Sequence, residues 1–167
     1  MSTTVYLGLG ANMGDRLSNL REALRRLSEY IAIQRVSAVY ETAPVGMAAQ
    51  PDFLNAACLG TTALPPLALL DRIKEIEQAM GRNDRTRNAP RPIDIDILLY
   101  DGVTLETPSL TIPHPRLAER AFALAPLADI AGAVLHPTLR ETIATLAARA
   151  GSAGVRRLDD ASLSLPP

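Results

Sequence analysis

Two aspartates, Asp94 and Asp96, stand two residues apart inside the run Ile93-Asp94-Ile95-Asp96-Ile97-Leu98-Leu99-Tyr100. Their neighbours are strand formers, and residues i and i+2 of a strand point to the same face. Both carboxylates therefore share one face, with Ile93, Ile95 and Ile97 on the other. A carboxylate is costly to bury unless it is paired, hydrogen-bonded or bound to metal, so the acidic face calls for a cation. Mg2+ typically takes one or two protein carboxylates together with substrate phosphates. Immediately before the strand, residues 82–91 carry four arginines, Arg82, Arg85, Arg87 and Arg91, against one acid, Asp84. Guanidinium forks match phosphate oxygens. A solvated strand edge or a solvated loop explains either feature alone. Side by side, they point to chemistry on a metal-bound polyphosphate.

The elements that must position these groups follow from hydrophobic periodicity. Thr4–Gly10 is a short strand ending in glycines, and Gly14-Asp15 opens a helix whose apolar stripe is Leu17, Leu20, Leu24, Leu27 and Ile31. Ile31–Thr42 reads as a second strand whose alternation slips near Arg35, the mark of a bulge. A proline- and glycine-bearing loop, 43–52, leads into a third strand, Phe53–Thr62, with Phe53 and Asn55 on one face. Pro65-Pro66 starts a helix with the stripe Leu69, Leu70, Ile73, Ile76 and Met80, and Gly81 suits its end. The acidic strand follows, then an Asp101-Gly102 turn and two further helices beyond Pro113. Residues 151–167 are small and polar and read as a loosely held tail. The order β-α-β-β-α-β-(β)-α-α implies an α+β sandwich, a sheet covered by helices with antiparallel pairing across residues 43–52.

Composition narrows the classes. The 167 residues, 47% hydrophobic and 21% charged, suit one globular domain spanning 1–167 without room for a second catalytic one. A net charge of -1 gives no support for a nucleic-acid binder. No apolar run is long enough to span a membrane, and the N-terminus lacks a signal-peptide pattern. The single cysteine, Cys58, reads as a buried core residue of a cytoplasmic protein. Gly8-x-Gly10-x-x-x-Gly14 imitates a dinucleotide fingerprint, with Glu41 as its ribose acid. Its third glycine is misplaced, and the β-β connection breaks the βαβ order such a fold requires.

At Arg87–Leu98, "RNAPRPIDIDIL", the residues resemble the signature of the 6-hydroxymethyl-7,8-dihydropterin pyrophosphokinase family of folate biosynthesis. The resemblance extends through "YLGLGANMGDR", "YETAPVG", "QPDFLNAA", Gly81-Arg82 and "IPHPRLAERAFALAPLADIA", covering roughly residues 5–137. It implies a three-layer α/β/α sandwich with a ferredoxin-like core, and transfer of the pyrophosphate of ATP to the pterin hydroxymethyl group, releasing AMP. It also implies two Mg2+ ions on Asp94 and Asp96, catalytic Arg82 and Arg91, and Arg85 as a further cation. Glu77, Ile97, Thr111, His114 and Arg120 would attend ATP. Thr42, Ala43, Val45, Phe53, Asn55 and Phe122 would attend the pterin. An amide such as Asn55 has a donor and an acceptor for the rim of a flat heterocycle, and the two phenylalanines could sandwich its ring. For Glu77 the plainer reading is a boundary residue whose carboxylate reaches solvent. His136 reads as structural.

The chain's length points to a stand-alone enzyme, the expectation is a monomer, and the resemblance implies ATP and a dihydropterin as its partners. The chain departs from some members in having no tryptophan near Asn88 in the arginine-rich loop. Closure of 82–91 over the site is the expectation this touches. A non-catalytic binding relative would have lost an aspartate or a catalytic arginine, and Asp94, Asp96, Arg82 and Arg91 are all present.

Overall fold

The computed structural model describes residues 2–43, 51–81 and 92–167. Its elements are β1 (Thr3–Ala11), α1 (Arg16–Leu27), β2 (Ala32–Val36), β3 (Val39–Thr42), β4 (Phe53–Thr62), α2 (Pro66–Ala79), β5 (Asp94–Tyr100), β6 (Leu105–Glu106), β7 (Thr111–Ile112), α3 (Ala121–Ala131), α4 (Ile143–Ala150) and β8 (Val155–Leu158). A short 3-10 turn, Leu117–Glu119, precedes α3.

β5, β1, β4, β3 and β8 lie in that order in one sheet, and β2 also pairs with β4. Each of these pairings is antiparallel. Counting β2 and β3 as one interrupted strand, the chain runs βαββαβ with the spatial order 4-1-3-2, the expected ferredoxin-like core. The sheet is covered on both faces. Val5, Leu7 and Leu9 of β1 and Leu54, Ala56 and Cys58 of β4 pack with Leu20, Leu24 and Leu27 of α1 and Leu69, Ile73 and Ile76 of α2. On the reverse face, Tyr6, Ala57, Leu98 and Leu99 meet Leu124, Leu127 and Ile130 of α3 and Ile143 and Leu146 of α4. The three-layer expectation holds.

Local sequence explains the joints. Asp15 caps α1, its carboxylate accepting from Ser18 N at 3.0 Å, while Gly14 takes φ 68°. Leu20, Leu24 and Leu27 are all but fully buried, each worth roughly 1.5–3 kcal/mol of transfer free energy. Pro66 sits in the first turn of α2, and Gly81, at φ 94°, ends it.

Two expectations need correction. The strand expected over Ile31–Thr42 is two strands. Its register against β4 slips between Ile33 and Arg35, as the broken alternation foretold. It slips again between the pairs Val36↔Cys58 and Tyr40↔Asn55, where four steps on one strand face three on the other. Ser37 occupies the second slip, its hydroxyl accepting from Ala57 N (2.8 Å) and donating to Ala38 O (2.7 Å). The tail is also more ordered than expected. Val155–Leu158 add a strand to β3, and Leu158, Ala161 and Leu163 pack on the larger core.

Candidate functional site

Strand alternation builds the site on the α3 face of the sheet. Asp94 and Asp96 pair across to Gly10 and Gly8 of β1, and Gly10 pairs onward to Asn55 of β4. These residues and Leu98, with His114, Leu117, Arg120, Phe122 and Ala123 from the segment entering α3, line one pocket. Six of the expected site residues thus meet there: Asp94, Asp96, Asn55, His114, Arg120 and Phe122. The register of β5 slips at Leu98, so Leu98 and Leu99 both turn toward α3 and close the far end of the acidic face.

The wall opposite the carboxylates is amide and aromatic. Asn55 is 6% exposed and donates from Nδ2 to Thr42 Oγ1 at 2.6 Å. Gly10 lies between this wall and the aspartates: a β-carbon there would stand 3.4 Å from the Phe53 ring. Phe122, in the first turn of α3, carries the Arg120 guanidinium over its ring at 5.5 Å. Arg120 also reaches toward Asp96, Nη1 to Oδ2 4.0 Å. One arginine therefore bridges the acidic and aromatic halves. Ala43, exposed, follows directly on β3.

His114 is tied to the strand by its backbone N–H on Leu98 O at 3.0 Å. Its Nδ1 accepts from Arg116 N at 3.2 Å, which leaves the ring proton on Nε2 as a donor. Burial, with Arg120 adding to it, holds its pKa down to about 4, so the ring is neutral at pH 7. His136 has the structural role expected, Nδ1 accepting from Thr138 N and Leu139 N.

Ile97 and Glu77 belong to the other face. The Ile97 side chain is buried in the α1/α2 core because it is odd in the strand's alternation, so the backbone of Ile97 is what it can offer a nucleotide. Glu77 is 7% exposed, which corrects the solvent-reaching reading: its Oε2 accepts from Ile95 N at 2.9 Å, on the edge of β5 away from β1. Thr111 lines a neighbouring cleft of about 480 Å³ that shares His114 as a wall. Arg82, Arg85, Arg91 and Val45, and with them the expected loop closure, lie outside the described residues.

Several positions escaped sequence reasoning. Gly8 and Gly10 looked like a failed dinucleotide motif, yet they leave the pocket floor bare. Two glycines at strand spacing are themselves a signal of close approach. Asn12, 0% exposed, donates to Pro51 O at 3.3 Å, and Arg16 donates to Asp52 O at 2.8 Å, together holding the entry to β4. Arg16 and Arg156 both pair with Glu41, which lowers its pKa and accounts for that carboxylate without a ribose.

Among the described residues no group of three or more His, Cys, Asp or Glu is placed to hold a metal. Two hard carboxylates on one strand face still suit Mg2+, which takes its remaining ligands from water and phosphate. No helix among the described residues is long and apolar enough to cross a membrane.

Fold and site together define a ferredoxin-like α+β domain that sets an acidic strand beside an amide and aromatic wall. The chain belongs to the 7,8-dihydro-6-hydroxymethylpterin-pyrophosphokinase family, whose sequence profile matches residues 6–132. It is 44% identical, over 84% of its length, to the 2-amino-4-hydroxy-6-hydroxymethyldihydropteridine pyrophosphokinase of Aquifex aeolicus, covering 88% of that protein. The Bacillus subtilis protein of the same name is 45% identical over 78% of the chain and is covered to 79%. Other relatives are much longer. The chain spans 21% of the folic acid synthesis protein FOL1 of Dictyostelium discoideum, at 46% identity over 83% of the chain. Among solved structures, Plasmodium falciparum HPPK-DHPS, crystallised with pteroate, superposes with a TM-score of 0.74 over 89% of the chain and 42% of its own. At 20% identity that likeness speaks for the fold.

Proposed function

We propose that the protein transfers the pyrophosphate of ATP to the hydroxyl of 6-hydroxymethyl-7,8-dihydropterin in folate biosynthesis, giving AMP and the pterin diphosphate. The observation that carries this reading is the single pocket that Asp94 and Asp96 share with Asn55 and Phe122 over Gly8 and Gly10, with the Phe53 ring close beside Gly10. The acidic half suits a metal-bound triphosphate, and the other half suits a flat ring with an amide edge.

Two Mg2+ ions held by Asp94 and Asp96 would supply neutralisation of charge on the phosphates. The protein's own groups do the rest. Asn55 reads the ring edge, while Phe53 and Phe122 hold its faces, bringing the hydroxymethyl group toward the acidic strand. Asp94 orients the hydroxyl. Its oxygen attacks the β-phosphorus, the bond from that phosphorus to the AMP oxygen breaks, and the hydroxyl proton is released. Neutral His114 donates from Nε2 to a phosphate oxygen. Arg120, with Arg82, Arg85 and Arg91, stabilises charge on the transferring group, an electrostatic effect strengthened when water is excluded. The lone thiol, buried at Cys58, supports a reducing compartment such as the cytoplasm.

The test is AMP formation from ATP and Mg2+, with and without the dihydropterin, beside Asp96→Ala. Pterin-dependent AMP that disappears in the variant is expected. ADP as the product would mean that the γ-phosphorus, not the β, is attacked.

A further inference from the structure

Asn55 is recognised above as the amide that meets the pterin edge, but an amide can present that edge in two orders. A primary amide has two N–H donors and one carbonyl oxygen. Rotating it by half a turn exchanges donor and acceptor along whatever lies opposite. Orientation therefore decides which heterocycle fits, and two neighbours of Asn55 act on the amide's position.

Nδ2 of Asn55 donates to Thr42 Oγ1 at 2.6 Å, so one N–H is spent on β3. The nitrogen end of the amide faces Thr42, and the hydroxyl anchors it there. The carbonyl oxygen and one N–H remain for a ligand, an acceptor and a donor in one plane. Such a pair complements a ring lactam, –NH–C(=O)–, in one order only. On the other side, Gly10 is the cross-strand partner of Asn55. A β-carbon at Gly10 would stand 2.9 Å from Oδ1 and 3.4 Å from Cδ1 of Phe53. The first distance is closer than a carbon and an oxygen tolerate, so any side chain there must displace the amide oxygen. Gly10 takes no positive φ among the residues of this chain that do, so space at the amide, not backbone freedom, is what its missing side chain provides.

We propose that Thr42 and Gly10 are specificity-determining residues: the Thr42 hydroxyl anchors the Asn55 amide and Gly10 leaves its oxygen the room to stand where it reads a lactam edge. This rests on the pterin reading of the pocket. Both act through Asn55 and are positioning residues in that sense.

The experiment measures binding of 6-hydroxymethyl-7,8-dihydropterin, and of its counterpart methylated on the lactam nitrogen, in the presence of Mg2+ and an unreactive ATP analogue. Wild type, Thr42→Val, Thr42→Ser and Gly10→Ala are compared, with the affinity for the ATP analogue as a separate readout. Thr42→Val should weaken pterin binding on the order of tenfold, the scale of one hydrogen bond. It should also narrow the preference over the methylated ligand, while Thr42→Ser keeps both. Gly10→Ala should lose pterin affinity and retain that for the nucleotide analogue. Should Gly10→Ala fail to fold, the Val and Ser variants decide the matter. Thr42→Val with wild-type affinity and wild-type discrimination would overturn the inference while leaving the function intact. Wild type that binds the nucleotide analogue and no pterin would overturn the pterin reading and this inference together.

Discussion

Glu77 offers the sharpest test of how the acidic strand is held. Its carboxylate accepts the Ile95 N–H at 2.9 Å, and Ile95 lies between the two aspartates. β5 has β1 on one edge, so on the other edge the Glu77 carboxylate supplies what a neighbouring strand would. Replacing Glu77 with alanine removes a hydrogen bond to a carboxylate, and bonds to charged groups contribute about 1.5–3 kcal/mol. Glu77 is 7% exposed, so little water is at hand to replace it. Taking about 2–3 kcal/mol, and about 2–4 °C of melting temperature per kcal/mol for a chain of this size, Glu77→Ala should melt roughly 4–12 °C lower. Glu77→Gln keeps an acceptor oxygen and should recover most of that loss. Thermal unfolding followed by circular dichroism measures both, and Mg2+-dependent binding of an ATP analogue reports whether the aspartates keep their spacing. Glu77→Ala melting within a degree of wild type would refute the reasoning. Glu77→Gln falling as far as Glu77→Ala would show that charge, rather than the acceptor, is what matters.

Other outcomes follow from the same geometry. Asp94→Asn and Asp96→Asn should each lower pyrophosphoryl transfer by about 10²–10³, the scale of removing one preorganised electrostatic contact; full activity in either would dismiss the acidic face as the phosphate site. His114 should stay largely neutral by NMR between pH 7 and 5. Its folded pKa, about 4, lies below the unfolded value near 6.5, so the unfolded chain binds the extra proton between them and this residue's contribution to stability falls as pH drops through that window. A His114 midpoint above pH 6 would contradict its burial. Cys58, buried and with its thiol pushed up to about 12, should resist alkylation in the native protein and react stoichiometrically once denatured. Gly60→Ala should destabilise by about 1–3 kcal/mol or more in urea titration, because its β-carbon would stand 2.4 Å from the Ala32 carbonyl oxygen and the backbone has no room to yield.

Much of this molecule is legible in one dimension because periodicity and punctuation are local. The 3-4 spacing of α1, the proline start of α2 and the alternation of β5 each state which residues face a core, and the structure agrees at each. The pairing of Asp94 with Asp96 is of the same kind, since a strand's period of two is a property of the chain itself. The failures arise where the deciding contact is distant in sequence. β8 forms because β3 offers an unpaired edge, and nothing within residues 155–158 announces that edge. Glu77 looks like a boundary residue on its helix until β5 arrives with an N–H that needs an acceptor. Gly8 and Gly10 look like a phosphate loop until the sheet places Asp96 and Asn55 on either side of them. Alternation and capping are set by covalent geometry and by neighbours within a turn. Pocket floors, edge pairing and the orientation of an amide depend on what another strand brings into contact, and only the folded chain decides that.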